Sequence, residues 1–354
     1  MNKKLGLLYG GKSAEHDVSL STAKAATQAL NFDKYDIFPV FITRGGEWRV
    51  GEQLTAPAES IEQLAFTRDA DSENDVTEFL TSLKERKFDV IFPLLHGTNG
   101  EDGTVQGFLE VLNLPYVGNG VLASSAGMDK VSMKQLFEIA GLPQVPYTYF
   151  IRNDWHKQQD ALIAEMEEKL TYPMFVKPAN LGSSVGVSKA DDREKLIEAV
   201  ELALKYDRKI VVETGVVARE VEMAVLGNDE PETSVPGEIK PKTAFYDYDS
   251  KYNDNSTDLL IPAPVTADVE AQLSDMAKRA FKILDGSGLV RADFFVTAEN
   301  EIFINEVNTL PGFTPVSMYP ILWKNTGLPY NELIEKLINL GIERHTEKQQ
   351  LQYQ

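Results

Sequence analysis

Short apolar runs alternate with amphipathic stretches over the first third of the chain. Apolar runs at 4–9 and 36–42 flank a stretch with helical spacing at about 19–30, and the run at 88–95 is continuously apolar. A continuous apolar run is typical of a parallel strand that is covered on both faces. Two further helices are predicted at about 76–86 and 104–112, and a short strand at 115–117. This alternation predicts an open α/β sheet with helices on both faces, whose ligands lie beyond the carboxyl ends of the strands.

A second part of the chain begins where glycines 118, 120 and 127 interrupt the pattern. Helices are predicted at about 119–127 and 129–140, followed by strands at 147–151, 174–177, 209–213 and 221–227. Apolar residues at helical spacing from Val269 to Leu284 predict another helix, which Gly286 ends. Strands at 288–296 and 301–307 are predicted to form a hairpin. A last helix spans about 330–342, and the chain from His345 onward is expected to be polar and frayed.

Residues 243–258 are polar and aromatic and show no periodicity. A loop of this length in a compact protein is usually either a functional lid or a disordered segment. The glycines at 118, 120 and 127 mark the first expected domain boundary, and a polar tail is expected at 346–354.

The composition is that of an ordinary globular protein with a strongly acidic balance. Lys plus Arg number 35 and Asp plus Glu number 54, which gives a formal net charge of −19. This charge disfavours non-specific binding to nucleic acid or to an anionic membrane, so neither partner is expected. The absence of Cys excludes disulfides, thiolate nucleophiles and Cys-ligated metals. The first apolar run is too short for a signal peptide and no stretch is long enough to span a membrane, so we expect a cytoplasmic protein.

The predicted hairpin near the carboxyl end carries the strongest chemical signal. Period-2 alternation places Arg291 with Asp293 on one face of the first strand, and Glu306 with Asn308 on one face of the second. If the strands pair, Asp293, Glu306 and Asn308 form an all-oxygen patch that suits Mg²⁺ and phosphate. The alternative is a solvated hairpin face with one ion pair. The apolar neighbours favour the metal site, because carboxylates beside one another on such strands need a partner.

Two further stretches suit anions or charged small molecules. Lys177 ends a strand and is followed by a Gly/Ser loop at 180–187, whose amides and hydroxyls can wrap a phosphate. This loop lacks the Gly-Lys-Ser/Thr of a Walker A motif, and an ordinary hairpin loop is the alternative reading. Glu213 stands at the end of another strand and is followed by a hinge that suits a nucleotide base and ribose, although that signal is weak by itself.

Near the amino end, a strand, a glycine turn and a helix start form a corner that accepts anions, but Glu15 within it suits an ammonium group. His96 follows the apolar run at 88–95, at the carboxyl end of the predicted parallel strand. A lone His is most often structural, but this place in a sheet is where ligands collect, which favours a functional role.

Taken in order, these motifs resemble the ATP-grasp superfamily and, within it, the D-alanine–D-alanine ligases. The resemblance covers nearly the whole chain, and the order and spacing of the motifs are far more specific than any one of them. The motifs that carry it are Gly10-Gly11-Lys12-Ser13-Ala14-Glu15, His96-Gly97, Glu101-Asp102-Gly103, Met128-Asp129-Lys130, Val176-Lys177-Pro178, Gly182-Ser183-Ser184-Val185-Gly186, Phe245-Tyr246-Asp247-Tyr248 and Asn308-Thr309-Leu310-Pro311-Gly312.

The resemblance implies a three-domain ATP-grasp fold. It has an open N-terminal α/β substrate domain at 1–118, a central ATP-grasp subdomain at 119–217 and a C-terminal catalytic domain at 218–345 that contains the lid at 243–258, and the last two clamp ATP. It implies that Lys130 and Lys177 contact the ATP phosphates, with Ser183 and Lys251 also at the nucleotide. Adenine and ribose would be held by Glu213, Val216 and Glu220. Asp293, Glu306 and Asn308 would ligate two Mg²⁺ ions, for which Mn²⁺ is a possible substitute. A homodimer is the family expectation.

For the substrates, the resemblance implies that Glu15 holds the ammonium of the first D-alanine and that His96 lies near its carboxylate. Arg291 and the Gly312 amide would form the oxyanion hole. Ser317 and the Met318 amide would bind the carboxylate of the second substrate. Ser183 and Tyr252 would join Glu15 in a hydrogen-bonded triad that closes the lid, from which Lys251 reaches the phosphate.

The implied reaction joins two D-alanine molecules through an acyl phosphate and supplies a peptidoglycan precursor. One alternative is a depsipeptide ligase that accepts D-lactate, but relatives of that kind carry His or Phe at the place of Tyr252, so Tyr252 favours the dipeptide. Another is a nucleotide-binding protein that has lost catalysis, which would be expected to carry substitutions among Arg291, Asp293, Glu306 and Asn308. None is present.

Overall fold

Three β-sheets organise the chain in a computed structural model that describes residues 2–66, 76–241 and 257–352. The strands are β1 (Lys3–Gly10), β2 (Tyr35–Ile42), β3 (Trp48–Val50), β4 (Val90–Pro93), β5 (Tyr147–Ile151), β6 (Met174–Pro178), β7 (Ser188–Ala190), β8 (Lys209–Thr214), β9 (Arg219–Gly227), β10 (Glu232–Thr233), β11 (Gly237–Pro241), β12 (Thr257–Leu260), β13 (Gly288–Val296) and β14 (Ile302–Asn308). The helices are α1 (His16–Ala29), α2 (Val76–Arg86), α3 (Thr104–Val111), α4 (Val121–Met128), α5 (Lys130–Ile139), α6 (Arg152–Lys169), α7 (Arg193–Ala203), α8 (Ala267–Ile283), α9 (Met318–Asn325) and α10 (Tyr330–Gln349).

The amino-terminal sheet has the order β3-β2-β1-β4, and β1 is parallel to both of its neighbours. Leu5, Leu7 and Val90 are completely buried, as expected for strands that helices cover on both faces. The predicted open α/β sheet is therefore confirmed. The predicted strand at 115–117 is reduced to a single parallel bridge between Ile91 and Tyr116.

The central sheet is antiparallel, with the order β5-β8-β6-β7. Its core lies between the sheet and helices α6 and α7 and includes Trp155, Leu196 and Val212. Asp192 caps α7 by accepting a hydrogen bond from the Lys195 amide. The sheet thus has a hydrophobic core of its own and presents its polar loop at 180–187 to the rest of the protein.

The carboxy-terminal sheet has the order β12-β11-β9-β13-β14, with β10 paired to β9. Strands β13 and β14 pair antiparallel, which confirms the predicted hairpin. Helix α8 covers one face of this sheet with the apolar positions predicted from its spacing, among them Leu273, Ala277 and Phe281. The fold class predicted from the sequence is confirmed.

The amino-terminal and carboxy-terminal sheets share one hydrophobic core, which contains Leu5, Leu226, Tyr319 and Ile338. Helix α10 lies between them and continues to Gln349. The fraying predicted from His345 is therefore wrong, because polar residues of the last turns have distant partners. Arg344 lies over the Tyr116 ring, with 4.3 Å to its centroid, and Lys348 pairs with Glu110. Within the described ranges, no helix combines the length and apolarity that crossing a bilayer requires.

Asn119 joins the two ends of the β13–β14 hairpin from outside the sheet. Its Nδ2 donates to the carbonyl oxygens of Leu289 at 2.6 Å and Thr309 at 2.7 Å, and its Oδ1 accepts from the Ser287 amide at 2.9 Å. The side chain is buried, with 3% of the residue exposed. One side chain therefore satisfies three buried backbone groups.

We expect Asn119→Ala to lower the free energy of unfolding by about 3 kcal/mol, because three buried backbone groups lose their partner. Urea unfolding followed by tryptophan fluorescence measures the change. Asn325→Ala is the control, because it removes an exposed side chain with one local hydrogen bond, and it should cost about 0.5 kcal/mol or less. Equal losses in the two variants would contradict this role for Asn119.

Candidate active site

A row of acidic side chains crosses three strands of the carboxy-terminal sheet. Asp293 on β13 lies directly opposite Glu222 on β9 and Glu306 on β14. Residues directly opposite each other in a sheet share a face, so the three carboxylates lie on the same side. Arg291 and Asn308 form the neighbouring pair on that face. The predicted grouping of Asp293, Glu306 and Asn308 is thus present, and Glu222 extends it.

Arg291 is held from two sides. Its Nε and Nη2 donate to the two oxygens of Asp293 at 2.8 and 2.7 Å, and its Nε lies 2.9 Å from Oε2 of Glu222. Asn308 Nδ2 also donates to Asp293, at 3.0 Å. Burial by itself lowers the pKa of Arg291, but Asp293 and Glu222 outweigh it and raise the pKa well above its usual value. The guanidinium is therefore a fixed positive charge beside the acidic row.

The donor chemistry of this patch fits a hard divalent cation. Asp293 and Glu306 offer carboxylate oxygens, and Asn308 offers an amide oxygen because its Nδ2 is already used toward Asp293. Among the residues that the structure describes, no three His, Cys, Asp or Glu side chains form a ready-made metal cage. Mg²⁺ is typically bound through one or two carboxylates together with substrate phosphates, rather than by such a cage. The patch therefore suits Mg²⁺ in company with a phosphate-bearing ligand.

Lys130 links the acidic row to the Gly/Ser loop. Its Nζ lies 3.4 Å from Glu306 and donates to the carbonyl oxygen of Leu181 at 3.0 Å. Lys130 is the first residue of α5, whose start is fixed by Asp129, which accepts from the Ser132 amide and pairs with Lys209 at 2.5 Å. The ammonium group of Lys130 therefore contacts both the predicted metal ligand Glu306 and the predicted phosphate loop.

Glu213, predicted at the nucleotide base, lies buried between two lysines. Its Oε2 accepts from Lys177 at 2.6 Å, and its Oε1 lies 2.9 Å from Nζ of Lys134. Burial alone would raise the pKa of Glu213, but Lys134 and Lys177 lower it to about 2. The other two residues predicted at adenine and ribose are nearby in the chain: Val216 is half-buried in the loop after β8, and Glu220 lies on β9.

The Gly/Ser loop reaches the amino-terminal domain through one short hydrogen bond. Ser183 Oγ donates to Oε1 of Glu15 at 2.5 Å, across 168 positions of sequence. Ser183 and Ser184 both adopt left-handed backbone conformations, with φ of 53° and 57°. Such conformations are costly for residues other than glycine and persist where the surroundings fix them, commonly at ligand sites. Two residues predicted to close the site are therefore in direct contact.

His96 lies beside this contact and is buried, with 3% exposed. Its Nδ1 lies 3.5 Å from Glu101, and its Nε2 lies 3.1 Å from Oγ1 of Thr22. Burial lowers the pKa of His96, but the hydrogen bond and charge of Glu101, with the charge of Glu15, outweigh it and raise the pKa. The raised pKa favours the protonated imidazole, and the placement of His96 near Glu15 suits a substrate that carries a carboxylate and an ammonium.

Gly312, Ser317 and Met318 lie together at the start of α9. A Cβ on Gly312 would come within 3.2 Å of Ser317 Oγ, which shows how closely the two segments approach. Ser317 Oγ accepts from the Thr314 amide at 3.1 Å, and Ser317 directly precedes the first helical residue, Met318. The first amides of a helix have no partners within the helix and favour anions such as carboxylates. Lys251, Tyr252 and residues 243–256 of the predicted lid lie outside the described residues, while 257 and 258 begin β12.

Two models of known protein families match this chain. The family model described as the D-ala D-ala ligase N-terminus matches residues 4–119, and the model of the D-ala D-ala ligase C-terminus matches residues 136–339. The chain belongs to the D-alanine–D-alanine ligase family.

Curated ligases of this family are similar over the whole chain. D-alanine–D-alanine ligase from Bacillus licheniformis is 58% identical, covering 100% of this chain and 99% of its own. The Listeria monocytogenes D-alanine–D-alanine ligase is 55% identical, with 100% and 99% covered. Among solved structures, the Coxiella burnetii D-alanine–D-alanine ligase gives a TM-score of 0.80 at 32% identity, covering 98% of this chain and 96% of that one. The VanG D-Ala:D-Ser ligase from Enterococcus faecalis gives 0.81 at 35% identity, covering 96% and 100%.

Several side chains that lie in the site were not predicted from the sequence. Lys134 has a signal in retrospect, because it stands on the buried face of α5 with Val131, Met133 and Phe137. Glu222 lies two residues after Glu220 on a strand whose other residues, apart from Arg219, are not polar, and that spacing places both glutamates on one face. Thr22 has no signal in the sequence that marks it as a partner of His96.

We expect the stability that Glu213 contributes to depend on acid pH. Its pKa falls from 4.5 to about 2 on folding, so the carboxylate stabilises the fold above about pH 4.5 and this contribution is lost as pH falls toward 2. The free energy of unfolding of wild type minus that of Glu213→Gln should therefore be largest near about pH 6. The pH-dependent part of this difference is about 3 kcal/mol, and the difference should shrink as the pH is lowered from about 5 to 3.

Urea unfolding at a series of pH values measures the difference. Glu198→Gln is the control, because Glu198 is exposed and paired with exposed Lys195, and such pairs contribute about 0–1 kcal/mol. A difference between wild type and Glu213→Gln that stays constant from about pH 6 to 3 would exclude the proposed ion pairs.

Proposed function

We propose that the chain joins two D-alanine molecules into D-alanyl-D-alanine, with conversion of ATP to ADP and phosphate. The observation that carries this proposal is the acidic row on β9, β13 and β14, which Lys130 connects to the Gly/Ser loop. Relatives that are 55–58% identical over the whole chain carry the name D-alanine–D-alanine ligase. The product would supply peptidoglycan synthesis.

In the first step, a carboxylate oxygen of the first D-alanine attacks the γ-phosphorus of ATP. The bond to the β,γ-bridging oxygen breaks, ADP leaves, and an acyl phosphate forms. Phosphoryl transfer is accelerated mainly by positioning and by neutralising charge on the phosphate oxygens. Lys130, Lys177 and the Gly/Ser loop, including Ser183, supply positive charge and donors for this purpose. Lys251 is proposed to add a further cation from the lid.

Asp293, Glu306 and Asn308 would hold Mg²⁺, as two ions, with Mn²⁺ as a substitute. Bound there, the metal would neutralise phosphate charge and orient the triphosphate. Adenine and ribose are proposed to be held at the β8–β9 connection by Glu213, Val216 and Glu220. Arg291 remains beside the metal ligands because Asp293 and Glu222 fix it.

In the second step, the amine of the second D-alanine attacks the acyl carbonyl, and phosphate leaves from the tetrahedral intermediate. Arg291 and the Gly312 amide are proposed to stabilise the oxyanion, for which fixed donors are worth most when water is excluded. Ser317 and the Met318 amide would bind the second carboxylate at the start of α9. Glu15 would hold the first ammonium, with His96 near the first carboxylate.

Water must be excluded, because an acyl phosphate hydrolyses. The contact between Ser183 and Glu15 already closes one side of the site. Tyr252 is proposed to complete this triad from the lid at 243–258. The division into a substrate domain at 1–118, a central subdomain at 119–217 and a catalytic domain at 218–345 remains part of the proposal, as do a homodimer and a cytoplasmic location.

We expect purified protein with Mg²⁺ and ATP to release phosphate only when D-alanine is added, with about one phosphate for each dipeptide formed. L-alanine should not substitute, because its side chain and ammonium exchange places at the site. Coupled phosphate release, with product identification by mass spectrometry, measures this. D-lactate and D-serine are offered as alternative second substrates, and a preference for either would assign the chain to a different ligase activity.

Asp293→Ala serves as the inactive control and should lower kcat by at least about a thousandfold, since it removes a metal ligand and the main partner of Arg291. Exposed Asp229→Ala should leave kcat unchanged. Full activity in Asp293→Ala would refute the metal assignment, and phosphate release without any amino acid would favour a simple ATPase.

A further inference from the structure

Lys134 is a charged side chain in the site that the proposed reaction does not use. It lies on α5, one turn after Lys130, and only 1% of it is exposed. Its Nζ lies 2.9 Å from Oε1 of Glu213 and 5.2 Å from the centroid of the Tyr147 ring. Lysine is almost never buried to this degree unless it is paired. The position of Lys134 therefore needs a reason beyond packing.

Glu213 has two lysine partners that differ in their freedom to move. Only 1% of the Lys134 side chain is exposed, whereas 13% of the Lys177 side chain is exposed. Lys177 also has a second acceptor, since its Nζ lies 3.5 Å from Oδ1 of Asn305 on β14, next to the predicted metal ligand Glu306. Lys177 is thus the lysine that can turn toward a ligand, whereas Lys134 remains paired with Glu213.

We infer that Lys134 is a positioning residue for nucleotide binding, which remains as the counter-ion of Glu213 and so allows Lys177 to turn to the triphosphate. This inference rests on the proposed function, because it takes Lys177 to be a phosphate ligand. Lys134 itself touches neither the phosphates nor the reacting atoms.

The physical reason is the cost of leaving a buried charge without a partner. Breaking a buried ion pair by removing one partner costs several kcal/mol, because the remaining charge is uncompensated. With Lys177 alone, every nucleotide-binding event would leave Glu213 in that state. With Lys134 present, Glu213 keeps one cation when Lys177 turns away, so the cost of redirecting Lys177 is much smaller.

The electrostatics of the pair agree with this arrangement. Glu213 stays ionised because Lys134 and Lys177 outweigh the effect of burial on its pKa. Burial lowers the pKa of Lys134, and Glu213 opposes this change. The charge of Lys134 is further supported by the face of Tyr147, which lies opposite Glu213 across β5 and β8. Each charge therefore depends on the other.

The test is a double-mutant cycle on nucleotide affinity. The dissociation constant of a non-hydrolysable ATP analogue with Mg²⁺ is measured by calorimetry for wild type, Lys134→Met, Lys177→Met and the double variant. Methionine keeps the length of the side chain and removes its charge. We expect Lys134→Met to weaken binding by about ten- to a hundredfold in the wild-type background, because Lys177 is then the sole partner of Glu213.

In the Lys177→Met background, Lys134→Met should weaken binding by less than about twofold, because no Lys177 is left to be released. A merely structural role for Lys134 predicts the same fold loss in both backgrounds, and that outcome would overturn the inference. Lys134→Gln replaces Lys134→Met in the cycle if the latter does not fold, as judged by circular dichroism.

Two controls separate this inference from the proposed function. Lys195→Met removes a lysine from an exposed pair with Glu198 and should leave nucleotide affinity unchanged. The KM for D-alanine should change less than about twofold in Lys134→Met, since the change acts at the nucleotide. If wild type does not bind the analogue at all, the proposed function fails. If wild type binds and turns over but the losses are equal in both backgrounds, only the role of Lys134 fails.

Discussion

The site depends on the mutual neutralisation of buried and partly buried charges where the central and carboxy-terminal sheets meet. Among the residues that the structure describes, ion pairs join four carboxylates to four cations at this place. The carboxylates are those of Glu213, Glu222, Asp293 and Glu306, and the cations are Lys130, Lys134, Lys177 and Arg291. Charges in such surroundings are costly unless they are paired, so each side chain restricts the positions of its partners. This balance of charges sets the electrostatic surroundings that a polyanionic ligand and a divalent cation would meet.

The fold supplies this balance from separate elements. The register of β9, β13 and β14 aligns three carboxylates in a row. The start of α5 brings Lys130 to that row, and β6 and β8 bring Lys177 and Glu213 to its side. Under the proposed function, Lys130 and Lys177 would turn toward the phosphates of a triphosphate, Lys134 would stay paired with Glu213, and Asp293, Glu306 and Asn308 would hold the divalent cation. The positive charge of the cation would offset part of the negative charge of the triphosphate, which would lower the cost of binding.

The sequence predicts much of this site, because short-range periodicity is enough for strands and hairpins. Alternation placed Asp293 with Arg291, and a short connection to the next strand made pairing with Glu306 and Asn308 the expected result. What periodicity cannot give is a partner far away in the chain. Lys134 and Glu213 are 79 positions apart, and nothing local on α5 identifies a carboxylate on β8. The same limit explains α10, whose last turns are polar and were expected to fray. Their partners, Tyr116 and Glu110, belong to a segment more than 200 positions earlier.

The most direct test of this account is the affinity for ATP with and without a divalent cation, measured by calorimetry in Mg²⁺ and in EDTA. Because the acidic row repels an uncompensated triphosphate, ATP should bind at least about a hundredfold more tightly with Mg²⁺. In Glu306→Gln, which has one carboxylate fewer in the row, this advantage should shrink. Equal affinity of wild type for ATP in Mg²⁺ and in EDTA would contradict the account.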